Sequence, residues 1–384
     1  MKVFVIAGEP SGDLLGGTLM AGLKARVPDI AFEGVGGAAM IAQGLKSRFD
    51  MAELSVMGLA EVLPRYRALM ARMKETAAAV LETQPDVLIT IDSPDFSLRV
   101  ARRVRARSTI RTVHYVAPTV WAWRPGRAEK MARSIDHVLA LLPFEPPYME
   151  AAGMVCDFVG HPVVAEPRAQ AQDVAAFRAM RGIHDAPLAI VLPGSRQSEV
   201  SRLGPVFQQV VARVQQQRPD VKVVVPAAAP VYGLVRKLTQ NWENTLVMDP
   251  SVPNPEVAAA QKRAAFHAAD VALAASGTVS LELAAAKTPM VIAYDMNWLS
   301  RKIIGRMVKV DTVTLVNLVS ETRAVPEFIG ANCRPGPIAT AVLKALDAPE
   351  AQLEAMALTM QRLGEGGEPP GQRAAEAVLA RMSN

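Results

Sequence analysis

Two carboxylates follow the apolar run Val87-Leu88-Ile89-Thr90-Ile91, where the chain continues Asp92-Ser93-Pro94-Asp95-Phe96. A carboxylate at the mouth of a buried strand suits general-base work on a hydroxyl. Pro94 biases Ser93 towards extended backbone. Asp92 is therefore expected to point into a cleft and act as the base, while Asp95 caps the following helix. A glycine loop, Gly8-Glu9-Pro10-Ser11-Gly12-Asp13, closes the first apolar run. Its glycines permit a tight turn, and the helix after it offers N–H groups to an anion or a sugar hydroxyl, with Glu9, Ser11 and Gly12 as candidate contacts. The plainer reading is a strand–helix turn with Asp13 as N-cap. The loop is neither a Walker A loop nor a Gly-x-Gly-x-x-Gly loop.

Two more loops carry the marks of a phosphate site. Leu192-Pro193-Gly194-Ser195-Arg196 presents backbone N–H groups, a hydroxyl and a guanidinium at one helix start, which suits a diphosphate. Ala275-Ser276-Gly277-Thr278 opens another helix with small residues, and Glu282 follows one turn on, where a carboxylate can hold both hydroxyls of a ribose. The alternative is a capped helix with an acid in its first turn. Trp121 and Trp123, in His114-Tyr115-Val116-Ala117-Pro118-Thr119-Val120-Trp121-Ala122-Trp123-Arg124, read either as an aromatic core plug or as a wall for sugar or acyl chains with Arg124 and Arg127 facing an anion. His161, beside Pro162, is a hinge candidate.

These loops need strands to hold them. Strands are predicted at Val3–Ala7, Ala31–Val35, Val87–Ile91, Thr112–Val116 and His137–Leu141, and a second set at Leu188–Leu192, Val221–Val225, Leu246–Met248, Val271–Ala274 and Pro289–Ala293. They are continuous apolar runs, the mark of parallel strands covered on both faces. Amphipathic helices lie between them, among them Leu14–Arg26, Tyr66–Thr83 and Leu98–Arg105. Val159 to Ala171 has two prolines and no periodicity and reads as a linker. The pattern predicts two doubly wound α/β domains, 1–165 and 166–348. A helical tail, 349–384, is expected to return to the first domain or to a partner subunit.

At 384 residues, with half of them apolar and 21% charged, the chain is neither disordered nor a disulfide scaffold. Its longest run without Asp, Glu, Lys or Arg, Val223–Val235, has thirteen residues, too few for the ~20 of a spanning helix. No signal peptide is read at the start, and Cys156 and Cys333 fit a reducing compartment, so a cytoplasmic protein is expected. No histidines or cysteines show metal spacing. The net charge of +5 is shared by both halves, which argues against a nucleic-acid partner. Six arginines between Arg99 and Arg111 have no acid among them, and Met57, Leu59, Val62, Leu63, Tyr66, Leu69, Met70 and Met73 form an apolar stripe with Arg65, Arg67, Arg72 and Lys74 interleaved. Each is a solvated or core face, or a surface for an anionic membrane, and the arginine cluster also suits an anionic substrate. Trp298, Leu299 and Ile303 with Arg301, Lys302 and Arg306 form a rival segment.

Taken in order, Gly-Glu-Pro-Ser-Gly-Asp (8–13), Val56-Met57-Gly58, Ile-Asp-Ser-Pro-Asp-Phe (91–96), the 114–124 block, Leu-Leu-Pro-Phe-Glu (141–145), Val-Gly-His-Pro (159–162), Leu-Pro-Gly-Ser-Arg (192–196), Ala-Ser-Gly-Thr (275–278) with Glu282, and Leu315-Val316-Asn317-Leu318 resemble the lipid-A-disaccharide synthase family. The resemblance implies a GT-B glycosyltransferase, two Rossmann-like domains facing a cleft. It implies transfer from UDP-2,3-diacylglucosamine to 2,3-diacylglucosamine 1-phosphate, giving the β-1′,6 disaccharide 1-phosphate and UDP, without metal or cofactor. It also implies peripheral association with the inner face of the cytoplasmic membrane, with a homodimer left open. By resemblance Asp92 is the essential carboxylate, Arg196 the essential arginine, and Asn317 a polar residue of the donor site. Gly37-Ala38-Ala39-Met40 departs from the family's Gly-Pro-basic-Met, so the resemblance assigns the acceptor phosphate no loop here. A UDP-sugar 2-epimerase and a non-catalytic lipid or nucleotide binder are the competing expectations.

Overall fold

The computed structural model describes residues 1–382 apart from 55–58, 122–125, 253 and 297–310, with the backbone alone for 59–65 and 255. The chain divides into two units, Met1–Ala165 with Leu363–Asn384, and Glu166–Arg362.

In the first unit seven parallel strands lie in the order β3-β2-β1-β4-β5-β6-β7, namely Lys46–Ser47, Ala31–Val35, Lys2–Ala7, Val87–Ile91, Arg111–Tyr115, His137–Ala140 and Val155–Phe158. The strand interiors are apolar on both faces because both are covered. Phe4, Ile6 and Leu88 pack with Val80 of α3 (Leu59–Thr83) and Val100 and Val104 of α4 (Pro94–Arg105). Val3, Val5, Val87 and Ile89 pack with Leu15, Leu19 and Leu23 of α1 (Pro10–Arg26). The chain reverses direction of winding between β1 and β4, and a ligand is expected beyond the carboxyl ends of those strands.

The second unit repeats the plan with six parallel strands, β10-β9-β8-β11-β12-β13: Thr245–Met248, Lys222–Pro226, Leu188–Leu192, Val271–Ala275, Met290–Tyr294 and Glu327–Ile329. Its switch point lies between β8 and β11. Here α8 (Gln197–Gln217) supplies Leu203, Phe207 and Val211 to one core cluster. The two units together form the doubly wound α/β architecture predicted from the apolar runs.

The C-terminal helices divide between the units. α14 (Glu350–Arg362) belongs to the second, where Thr359 Oγ1 donates to the Val316 carbonyl at 3.2 Å. α15 (Pro370–Met382) belongs to the first and lies along α1. The approach is close because both surfaces are small: a Cβ on Gly22 would stand 2.7 Å from the Gly371 carbonyl oxygen. Arg26 pairs with Glu368 at 2.6 Å and Arg381 with Asp157 at 3.2 Å. The short strands β3, β7 and β13, of two, four and three residues, carry no sequence signal of their own.

Candidate active site

In the first unit the glycine loop and the Asp92 loop meet at the carboxyl ends of the adjacent strands β1 and β4. A Cβ on Gly8 would lie 2.6 Å from Ser93 Oγ, so a larger residue there would have to displace the Ser93 side chain. The Asp92 N–H donates to the Tyr115 carbonyl at 3.0 Å, which ties this loop to β5. Asp92 and Ser93 both have left-handed backbone, φ 48° and 43°, and Val116, directly after the next strand, has φ 86°. The extended Ser93 expected from Pro94 is therefore not what forms. Two successive left-handed residues turn the chain straight from β4 into α4, and the Ser93 carbonyl accepts from the N–H groups of Phe96 and Ser97. Left-handed non-glycine backbone costs roughly 1–3 kcal/mol per residue and collects at functional loops. Asp92 is half-buried, and no donor among the described residues holds its carboxylate.

Asp95 does not cap α4. The helix begins at Pro94 with Ser93 as its N-cap, so Asp95 is an exposed first-turn residue. Asp13 is likewise no N-cap, because α1 begins at Pro10, where proline's missing N–H costs nothing. Instead Asp13 is buried, and its carboxylate accepts from the N–H groups of Gly37, Ala39 and Met40 at 2.7, 2.9 and 3.1 Å. That carboxylate caps α2 (Ala38–Ala42) from a distant part of the chain. The three N–H groups are thereby occupied, which removes them as an anion cradle. In the glycine loop Ser11 is exposed, Gly12 is buried in contact with Ile91, and Glu9 is half-buried at the N-cap of α1.

Beneath the loops lie two buried polar groups. Thr90 Oγ1 and His114 Nδ1 are 2.8 Å apart, and burial pushes the His114 pKa down to about 4, so the ring stays neutral. Glu145, 3% exposed, accepts from the Leu141 and Leu142 N–H groups at 3.2 and 3.0 Å at the end of β6, and burial pushes it up to about 7. Trp121 is buried edge-on against Phe144, centroids 5.2 Å apart, which is the core plug and not a substrate wall. Trp123 and Arg124 lie outside the described residues. His161 is half-buried, desolvation pushes its pKa down to about 4, and its Nδ1 accepts from the Val163 N–H at 3.2 Å.

In the second unit a pocket of about 600 Å³ opens at the carboxyl ends of β8, β9, β10 and β11. It gathers Gly194, Ser195, Arg196, Ser276, Gly277, Thr278 and Glu282, seven residues from two loops 80 positions apart. Gly277 has open space where a Cβ would stand, and Ala227, Ala228 and Met248 give the rim from β9 and β10 an apolar side. Two residues there escaped the sequence reading. Glu199, in the first turn of α8, accepts from the N–H groups of Ser195 and Arg196 at 3.1 and 3.3 Å and pairs with the Arg196 guanidinium at 3.0 Å. The loop N–H groups expected to face a diphosphate are thus engaged by this carboxylate. The residue sits three positions after the N-cap, the spacing of a capping box, and that was its available signal. Lys262, from α10 (Pro255–Ala268), donates to Glu282 at 2.6 Å, and only the fold brings it there. Gly194 has φ 120°, and a Cβ would press on Glu199 at 2.6 Å.

Asn317 stands apart from the pocket lining. It is buried in α12 (Leu315–Ser320), where its amide donates to Thr312 Oγ1 and the Val325 carbonyl and accepts from the Val325 N–H, at 3.2, 2.9 and 3.0 Å. Its side chain pins the 312–325 loop. Of the apolar stripe, Met73 is core, Leu69 and Met70 are half-buried against it and Tyr66 is exposed, while Arg72 is spent on Glu53 and Glu75, both at 2.8 Å. The side chains of Met57, Leu59, Val62, Leu63 and Arg65 and the segment around Trp298 lie outside the described residues. Among the described residues no cluster of His, Cys, Asp and Glu has the form of a metal site.

Two doubly wound parallel-sheet units with a polar pocket at the second unit's switch point place the chain in the GT-B class. Solved structures agree on the fold. The UDP-GlcNAc 2-epimerase from Neisseria meningitidis bound to UDP-GlcNAc matches with a TM-score of 0.65 at 12% identity, over 100% of both chains. Anabaena HepE in complex with UDP and glucose matches with a TM-score of 0.56 at 12% identity, over 100% of this chain and 99% of that one. The family model described as lipid-A-disaccharide synthetase matches residues 3–380. A lipid-A-disaccharide synthase of Ruegeria pomeroyi is 63% identical over 383 residues, 100% of this chain and 96% of the relative. One of Rhodospirillum centenum is 48% identical over 388 residues, 99% and 94% of the two chains. The chain belongs to the lipid-A-disaccharide synthetase family.

Proposed function

We propose that the chain joins UDP-2,3-diacylglucosamine to 2,3-diacylglucosamine 1-phosphate, yielding the β-1′,6-linked disaccharide 1-phosphate and UDP. The observation that supports this most strongly is family membership over nearly the whole chain, together with an open pocket at the second unit's switch point. The acceptor's 6-hydroxyl oxygen attacks the donor's anomeric carbon, the bond to the UDP oxygen breaks, and the hydroxyl proton passes to Asp92. One in-line displacement inverts the anomeric centre. Asp92 suits the base because its carboxylate has no donor among the described residues and its strained backbone fixes its direction.

UDP would occupy the pocket of the second unit. Glu282 would accept from the ribose hydroxyls. Ser276, Gly277 and Thr278 would leave room for the diphosphate, and Arg196 would stabilise the charge that develops on it. In this reading Arg196 and Lys262, paired here with Glu199 and Glu282, would turn to the departing diphosphate in place of a metal. For the loop N–H groups of Ser195 and Arg196 to reach the diphosphate, Glu199 would have to swing away. Gly8, Glu9, Ser11 and Gly12 lie on the acceptor side, beside Asp92. Among the described residues no helix is long and apolar enough to cross a membrane. Peripheral association with the inner face of the cytoplasmic membrane would give the enzyme access to the acyl chains of both substrates.

Titration calorimetry with UDP tests the pocket. Wild type should bind, and Glu282→Ala should bind more weakly by about 1–3 kcal/mol, the cost of leaving polar partners unpaired. Unchanged affinity in the variant would remove Glu282 from the site.

A further inference from the structure

A second large cavity, about 740 Å³, lies in the first unit between α3, α4 and α5 (Gly126–Ala132). Its cations are Arg99, Arg102, Arg103, Arg127 and Lys130. The spacing of Asp95, Leu98, Arg99, Arg102, Arg103 and Ala106 puts them on one face of α4. Among the described residues Asp95 is the one carboxylate lining the cavity. Among the described residues none of the five cations has an ion-pair partner, whereas Arg105 on the same helix is paired with Asp136. Between the cations the wall is apolar, from Leu98, Met70, Met131 and Pro118. Five unpaired cations over an apolar wall are costly to keep together unless an anion joins them, and an apolar wall suits an anion that carries hydrocarbon.

The position of the groove narrows the choice of ligand. It begins at Pro94 and Asp95, the residues directly after the Asp92–Ser93 turn, and includes Pro118 from the segment after β5, the neighbour of β4. A molecule lying in it has one end at the proposed base. A phosphate monoester carries a charge of roughly −1.5 to −2 near pH 7, against −1 for the phosphodiester of a bilayer lipid, and so matches the groove better. We infer that this groove holds the 1-phosphate and adjoining acyl chain of the acceptor lipid, so that its sugar hydroxyl is delivered to Asp92. The inference rests on the reaction proposed above.

The test compares wild type with Arg102→Ala/Arg103→Ala, Arg102→Lys/Arg103→Lys and the control Arg107→Ala, an exposed arginine outside the groove. In neutral-detergent micelles, KM is measured for the acceptor, for the donor, and for an acceptor analogue with a free 1-hydroxyl. The double alanine variant should raise KM for the phosphorylated acceptor roughly tenfold or more, as expected for lost charge-assisted contacts. It should leave the donor and the hydroxyl analogue unaffected. The lysine variant should recover part of the loss, and the control should match wild type. Direct binding of the phosphorylated acceptor without donor, followed by phosphorus NMR, keeps the groove testable even if no sugar is transferred. Phosphatidylglycerol at equal mole fraction should not displace it. Equal shifts for both acceptors, a parallel shift for the donor, or displacement by phosphatidylglycerol would overturn the assignment.

Discussion

Asp92 is oriented by its own backbone and its N–H bond to Tyr115, and its carboxylate carries no protein donor among the described residues. That arrangement leaves the lone pairs available for a substrate hydroxyl. Asp92→Asn should therefore lower turnover by roughly 10² or more while UDP affinity stays within twofold of wild type. Near-normal turnover in that variant would move the role to Asp95, Glu9 or substrate-assisted proton loss. Asp13 does the opposite kind of work. Its carboxylate satisfies three N–H groups of another segment, one buried and two part-buried, and removing it leaves them without that partner. Asp13→Ala should cost about 2–4 kcal/mol in chemical denaturation, more than a single lost cap. A loss below about 0.5 kcal/mol would mean that water replaces the carboxylate.

At the scale of elements, the last helix is held to α1 by a contact that small residues permit. Gly22→Leu should push Gly371 and Ala375 away, lower the unfolding midpoint by several degrees, and expose the C-terminal segment to limited proteolysis. An unchanged digestion pattern would show that the helix docks without this contact. Most strands and helices could be read in the sequence, because a parallel strand buried on both faces is an unbroken apolar run, as at Val87–Ile91. Apolar periodicity alone starts these helices too late, at Leu14 and Leu98: Pro10 and Pro94 look like breakers but are first helical residues. The pocket loops at 194–196 and 276–278 were legible because glycine and small residues cluster there. Lys262 and Asp13 were not, since what they do depends on partners 20 or more residues away. Asn317 was named from family pattern alone, and its hydrogen bonds show a residue that supports a loop.

Across the whole molecule, the buried ionisable groups of the first unit set a pH response. His114 and His161 fall to about 4 by burial, and His137 is lowered as well. Between about pH 6.5 and 4 the unfolded chain binds more protons at these rings than the folded one, so stability is lost as the pH falls through that range. Glu145, raised to about 7, acts in the other direction, since the folded state holds its proton up to a higher pH. The unfolding midpoint should fall from pH 7 to pH 5, and Glu145→Gln should make the fall steeper. A shallower fall in the variant would mean that the Glu145 carboxyl is ionised at pH 5. In the proposed reaction the first unit supplies the base and the second the leaving-group pocket. The most direct test supplies UDP-2,3-diacylglucosamine and 2,3-diacylglucosamine 1-phosphate together to the purified protein and follows both products. One UDP released per β-1′,6 disaccharide 1-phosphate formed, dependent on the acceptor and lost in Asp92→Asn, is the predicted result. UDP-sugar epimerised without acceptor, or UDP bound with no disaccharide formed, would contradict it.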